Sequence, residues 1–367
     1  MRGGERRRCD GRGGGPGHGR GAREAGATVT LPEPRANPLL IGHAAAEAAM
    51  LEALRGGRLH HAWLITGPPG IGKATLAFRF ARRLLAGGEE ALALPETHPT
   101  FRRVAAGTHA DLLTIERAWD PKRKKLRGEI VADDVRAVSE FLRLTPAEGG
   151  WRVVVLDGAE EMNRHAANAL LKVLEEPPAR AVLLLVSAAA GRLLPTIRSR
   201  CRRLRLSPLA EEEVRDLLDR ALPGTDAEER ARLASMAEGS PGRALALAEG
   251  GGVALADLVS QVIERLPGLG AGQAHEVADT VARDEDSFAT FMDLLRGTVA
   301  SAVRDAARGR ADPDQARLLG ARPLDAWVEV WHALTRLQDE TQAFYLDRRQ
   351  AIVSGLGLLA GTAPRMS

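Results

Sequence analysis

The chain reads as an α/β protein: a parallel sheet with helices on both faces, followed by an all-helical C-terminal part. Three observations predict this. Short apolar runs alternate with helix-period segments between residues 61 and 206, the pattern that builds parallel sheets. Residues 181–187 are apolar at nearly every position, as a strand covered on both faces should be. Beyond Pro208 the strand signal stops and only helix-period segments follow.

Taken in order, residues 1–30 are rich in Gly and Arg and lack apolar periodicity. They cannot bury enough surface to offset the entropy of ordering and are expected to be disordered. A solvated extension or a misassigned start codon accounts for them better than a basic tail touching nucleic acid. Order is expected from about Asn37. Residues 44–54 have helical spacing, and His61 to Thr66 is an apolar run that reads as a buried strand. Residues 73–85 predict a helix with Leu76, Phe80 and Leu84 on one face. Residues 112–115 predict a strand, and 130–144 a helix with Asp133 and Asp134 in its first turn. The strand 151–157 leads to a helix over 163–176, stopped by Pro177-Pro178. A strand at 181–187, a short helix beginning near Arg192 and a strand at 203–206 complete the sheet region. Helices are then expected at 211–222, 227–238 and 242–249. Gly250-Gly251-Gly252 predicts a hinge, and residues up to about Leu359 read as helical.

At 367 residues the chain exceeds one ordinary core, so two or three domains are expected. Hydrophobic residues make up 44% and charged residues 27%, a soluble, globular balance. A formal net charge of +3 makes no bulk case for nucleic acid. No apolar run is long enough to span a bilayer and no secretory pattern opens the chain, so a cytoplasmic protein is expected. Cys9 and Cys201 are the only cysteines, too few for a disulfide framework or a cysteine-rich zinc site.

Between the first strand and its helix lies Gly67-Pro68-Pro69-Gly70-Ile71-Gly72-Lys73-Ala74-Thr75. Gly67, Gly72 and Lys73 satisfy the phosphate-loop pattern, whose backbone N–H groups and helix N-terminus favour phosphate. Ala74 stands where a hydroxyl residue should hold magnesium, and Thr75 is one position late, about a quarter turn around the helix. A second strand ends in Asp157-Gly158, where a P-loop ATPase carries Asp-Glu: Asp for the hydrated metal, Glu for the attacking water. Glu160 and Glu161 follow past the strand end, in the turn entering the next helix, where only a shift of register would place one of them on the water. With both groups missing from one site, loss of hydrolysis is expected, with ATP or ADP binding left open and Mg held weakly if at all.

Three further segments carry chemistry. Arg198-Ser199-Arg200-Cys201 reads either as a solvated basic turn or as an arginine finger offered across a subunit boundary, a task suited to a permanently charged, forked guanidinium. Gly239-Ser240-Pro241-Gly242-Arg243 reads as an N-capped helix start, compatible with Arg243 reaching back toward a nucleotide. Lys122-Arg123-Lys124-Lys125 with Arg127 forms a basic loop, better read as solvated than as a DNA contact.

These constellations, in this order, resemble the AAA+ clamp-loader subunits of bacterial DNA polymerase III, nearest the delta-prime branch. Residues 168–178, Asn-Ala-Leu-Leu-Lys-Val-Leu-Glu-Glu-Pro-Pro, look like that family's signature helix. Residues 194–201 follow at the expected distance and are similar to its Ser-Arg-Cys finger, and Ile41-Gly42-His43 with His60-His61-Ala62-Trp63-Leu64 looks like its opening. The resemblance is strong over residues 38–250 and only positional beyond. After the tail that composition predicts (1–35), it implies a RecA-like nucleotide-binding domain (36–208), a three-helix lid (209–250) and a helical collar (251–367). It further implies a hetero-oligomeric ring with motor subunits of the tau/gamma type and a delta subunit, acting on a sliding clamp and primer–template DNA, with no membrane contact. Arg200 would then act in trans on a neighbour's ATP, with no independent catalysis by this chain. Arg243 would match the second sensor, Ser187 would lie near the first, and Gly67, Gly70, Gly72, Lys73, Ala74, Thr75 and Asp157 would line the nucleotide site.

Many such relatives carry a cysteine zinc module between the phosphate-loop helix and the next strand. Residues 85–111 contain no cysteine, so metal-free packing is expected there and no zinc. Two rival readings predict different residues. A motor ATPase of the same ring needs a hydroxyl after Lys73 and Glu after Asp157, and the chain has neither. A P-loop phosphotransferase needs acceptor-binding and base residues that the sequence does not offer.

Overall fold

The computed structural model describes residues 32–57, 59–121, 125–148, 150–320 and 322–361. The expected N-terminal tail, Cys9 and Lys122, Arg123 and Lys124 of the basic loop lie outside them, apart from residues 32–35 of the predicted tail segment.

Helix α1 (Ala44–Arg55) precedes β1 (Ala62–Thr66), which runs through the Gly-rich loop into α2 (Lys73–Ala86). Then come α3 (Pro99–Ala105), β2 (Leu112–Ile115), a short antiparallel ribbon pairing Trp119 with Leu126, α4 (Ala132–Arg143), β3 (Arg152–Asp157), α5 (Arg164–Glu175), β4 (Ala181–Ser187), α6 (Pro195–Arg200) and β5 (Arg202–Arg205). The five strands are parallel in the order β2-β3-β4-β1-β5. The parallel sheet is as predicted, and the loop-bearing β1 lies between β4 and β5.

Strand residues alternate between two cores, as a two-residue period requires. Trp63, Ile65, Val153, Val155, Val182 and Leu184 face α1 and α2. Ala62, Leu64, Val154, Leu156, Leu183 and Leu185 face α4, α5 and α6. The helix expected near Arg192 begins instead at Pro195, because a proline is preorganised for the first helical position and cannot sit deeper. Residues 190–192 form a separate 3₁₀ turn.

The segment between α2 and α3 is organised by arginines. Arg83 donates to the carbonyls of Gly87 (3.0 Å), Ala93 (3.3 Å) and Ala91, and Arg55 to those of Glu89 (2.7 Å) and Glu90 (2.8 Å). Each guanidinium satisfies several otherwise unpaired carbonyls, which fixes a stretch with little regular structure of its own.

Cys201 is buried beneath α6, and burial pushes its thiol up to about 11, against a small opposing pull from Arg203. A raised pKa leaves almost no thiolate at neutral pH. In a Cys9→Ser variant, Cys201 should therefore resist iodoacetamide at pH 8 until the protein is unfolded. Rapid labelling of the native protein would show the segment to be open.

After β5 come α7 (Glu211–Ala221), α8 (Ala227–Met236) and α9 (Pro241–Glu249), then α10 (Gly252–Arg265), α11 (Ala271–Val281), α12 (Glu285–Ala307), α13 (Pro313–Leu319), α14 (Leu324–Phe344) and α15 (Arg348–Ala360). At the predicted hinge, Gly251 adopts φ +64° and the α9 and α10 axes diverge by 89°. Among the described residues no single helix is long and apolar enough to cross a membrane.

Candidate nucleotide site and exposed arginine

Strand β1 delivers the Gly-rich loop to the mouth of the sheet. His43 pins it from outside, its Nε2 donating to the Ile71 carbonyl at 2.7 Å. The first-turn N–H groups of α2 have no intrahelical acceptors and, with the helix dipole, favour an anion. Lys73 is buried, and its Nζ donates to the Pro68 carbonyl at 2.6 Å. Burial holds its pKa below the usual lysine value, with Glu160 and then Asp157 pulling it partly back.

A cavity of about 420 Å³ opens over this loop. Gly70, Gly72, Lys73, Ala74, Thr75 and Asp157 all line it, so the structure brings most of the expected nucleotide residues together. Leu40 and Ile41 roof it, and Leu209, Leu217 and Leu245 close the far wall. The roof is held by two arginines of α2. Arg79 donates to the Pro38 carbonyl at 2.6 Å, and Arg82 to those of Asn37 (2.9 Å) and Arg35 (3.3 Å). Arg82 is 1% exposed and stacks on Phe101 at 4.4 Å, and burial, with Arg79 adding, lowers it to about 10. The residues present fit a nucleotide: an apolar chamber for a base, and a glycine-rich loop, a helix N-terminus and a lysine for phosphates.

The acidic side differs from the sequence expectation at one residue. Burial raises the Asp157 carboxyl above the ordinary range, Glu116 adds to this, and the Gly158 N–H and Lys73 oppose it. Glu161 turns away to Arg117, at 2.7 Å. Glu160 lies in the 3₁₀ turn Ala159–Glu161 and lines the cavity. Its Oε1 accepts the Ala188 N–H at 2.8 Å, while Oε2 is buried without a hydrogen-bond partner. A 3₁₀ turn has three residues per turn, so the third residue past the strand end returns to its mouth. That turn is the signal the sequence offered only as two acidic residues after Gly158.

Three expected site residues stand outside the lining. Gly67 passes beneath the loop, close to the Leu206 carbonyl. Ser187 is fully buried at the end of β4, its Oγ accepting the Ala189 N–H at 3.2 Å. The start of α9 instead docks on the loop backbone: the Gly242 N–H donates to the Gly70 carbonyl and Ser240 Oγ to the Pro69 carbonyl, both at 2.9 Å. Ser240 also caps α9 by accepting the Arg243 N–H at 3.2 Å. The Arg243 guanidinium points elsewhere, toward Glu238 at 3.5 Å and the Gly297 region of α12.

Arg200 lies at the end of α6, between buried Ile197 and Cys201, with its side chain 36% exposed. It does not line this chain's own cavity. Its Nη1 donates to the Thr196 carbonyl at 3.1 Å, and Nη2 pairs with Glu175 Oε1 at 2.9 Å. Among the described residues, these contacts occupy two of the five guanidinium donors. Among the described residues no group of three or more His, Cys, Asp or Glu side chains is arranged to hold a metal ion.

Residues 42–210 match the family model described as DNA polymerase III, delta subunit. The chain is 40% identical over 188 residues to the DNA polymerase III subunit delta' of Pseudomonas aeruginosa, covering 51% of this chain and 56% of that one. It is 36% identical over 207 residues to the subunit delta' of Escherichia coli, covering 55% and 58%. It is also 32% identical over 188 residues to the subunit tau of Salmonella typhimurium, covering 50% and 27%. The matched region spans little more than half the length of the delta' relatives. Over that region the chain is similar to delta' subunits, and the same region is similar to tau.

Proposed function

We propose that the chain is a cytoplasmic, delta-prime-type ring subunit of a DNA polymerase III clamp loader. It does not hydrolyse nucleotide efficiently, and it presents Arg200 to the ATP of a neighbouring motor subunit of the tau/gamma type. Its other ring partner is a delta subunit, and the ring places a sliding clamp on primer–template DNA. Residues 36–208 form the nucleotide-binding domain, 209–250 the lid and 251–367 the collar that joins the ring.

The observation that carries this reading is a contrast between two places. The chain's own cavity keeps the phosphate loop and Lys73, yet presents Ala74 and Gly158 where a magnesium hydroxyl and a catalytic carboxylate belong. Arg200, meanwhile, is partly exposed outside that cavity. ATP or ADP, when bound, is held through its phosphates by the loop N–H groups and Lys73, and its role here is occupancy. Thr75 and Asp157 stand beside that position, and the sensor role for Arg243 requires its guanidinium to leave Glu238.

Glu160 favours a second reading. It places a carboxylate in the cavity three residues past Asp157, so a slow motor of the same ring is the alternative. Turnover by the purified chain separates the two. On the proposed reading, wild type and Lys73→Ala should hydrolyse ATP at the same low rate. In a ring reconstituted with tau/gamma and delta subunits, Lys73→Ala should also lower clamp loading less than about 2-fold, within the range of a change that touches no transition state. Magnesium-dependent turnover well above the Lys73→Ala control, removed by Glu160→Gln, would establish the motor reading instead.

A further inference from the structure

The geometry points to Glu175 as the positioning residue for Arg200, an assignment that rests on the finger reading above. Glu175 is the last residue of α5, and Arg200 the last of α6, 25 residues later. A carboxylate at a helix C-terminus faces the negative end of the helix dipole, so α5 alone gives no reason for acid there. Its partner lies across the gap: Glu175 Oε1 stands 2.9 Å from Arg200 Nη2. The Thr196 carbonyl holds Nη1 at 3.1 Å, so the guanidinium is gripped from two sides.

That grip matters because a free arginine carries large rotamer entropy, lost whenever its fork is aligned on phosphate oxygens. Glu175 and Thr196 fix the plane in advance and use only two of the five N–H donors. Three donors remain for an anionic group brought against this face, so docking on a triphosphate does not require the ion pair to break. The rigid elements that hold the pair strengthen the point. Glu175 precedes Pro177-Pro178, which ends α5, and Arg200 is followed by buried Cys201, which fixes the end of α6. Thus the signature helix contributes a carboxylate that aims the arginine of the following motif.

The pair is about half exposed, 36% at Arg200 and 50% at Glu175, which limits the effect. An exposed ion pair is worth at most roughly 5-fold in an equilibrium or a rate. The test is a mutant cycle in the reconstituted ring, reading ATP turnover stimulated by clamp and primed DNA. Glu175→Ala should lower kcat roughly 3- to 5-fold with KM unchanged, since the nucleotide sits on the neighbour's own loop. Glu175→Asp should recover part of the loss. In an Arg200→Ala background, Glu175→Ala should cause no further loss.

An equal loss in both backgrounds would make Glu175 a structural residue and overturn the assignment. Wild-type turnover by Glu175→Ala alongside slow turnover by Arg200→Ala would overturn it while leaving the finger reading intact. Wild-type turnover by Arg200→Ala itself would remove the finger reading, and the positioning role with it.

Discussion

Arg200→Ala should lower ATP cleavage at the interface it faces by about 10³-fold, the lower end of what arginine fingers contribute to phosphoryl transfer. Assembly should survive, because the side chain is partly exposed and its contacts are to Glu175 and its own helix. A surface change of this kind alters stability by no more than about 0.5 kcal/mol. Other motor interfaces in the ring would keep turning over, so the measurement is single-turnover cleavage with the served site isolated by inactivating the rest. Arg200→Lys is the informative companion: it keeps the charge but not the planar fork, and should remain much closer to Ala than to wild type. Unchanged cleavage by Arg200→Ala in an intact ring would sink the proposal.

The parts of this molecule that were legible in its sequence are those where two signals coincide. At the loop, an apolar run, a glycine pattern and a helical period meet between Trp63 and Leu84, and the structure builds strand, cradle and helix there. Strand β4 was legible because burial on both faces makes it almost continuously apolar, and β3 because it carries the apolar run Val153 to Leu156. Elements too short to show a period were not. The ribbon pairing Trp119 with Leu126 has two residues per strand, and α3 has seven, although His98 and Pro99 mark its start by capping.

Side-chain destinations were harder still. The N-cap at Ser240 is local and was read, whereas the direction of Arg243 depends on Glu238 and on Gly297 of a distant helix. The approach of Glu160 to the cavity depends on a single 3₁₀ turn that no periodicity announces. In each case, the missing information is tertiary contact between residues well separated along the chain or hidden in an irregular turn.

The second large effect is expected at the seam between the loop and α9, where Gly70→Ala should both destabilise the protein and weaken nucleotide binding. Gly70 has φ +72°, a conformation that costs an L-residue about 1–2 kcal/mol. A Cβ there would stand 2.5 Å from Ser240 Oγ and 3.2 Å from Gly242 Cα, so the start of α9 would have to move. Moving it breaks the Gly242 N–H to Gly70 bond and the Ser240 to Pro69 bond, each worth about 1 kcal/mol net.

The combined loss is about 3 kcal/mol, a substantial share of the marginal stability of a domain and readily seen by thermal melting. Gly242→Ala separates the two causes. Gly242 has no positive φ, but its Cβ would approach Gly70 Cα at 2.9 Å, so it disturbs the seam while leaving the loop its glycine. If the docking of α9 helps to shape the phosphate cradle, Gly242→Ala should weaken binding of a fluorescent ATP analogue, although less than Gly70→Ala does. Weakening by Gly70→Ala alone would assign the effect to loop conformation. Wild-type melting and binding in both variants would mean that α9 rests on the loop without supporting it.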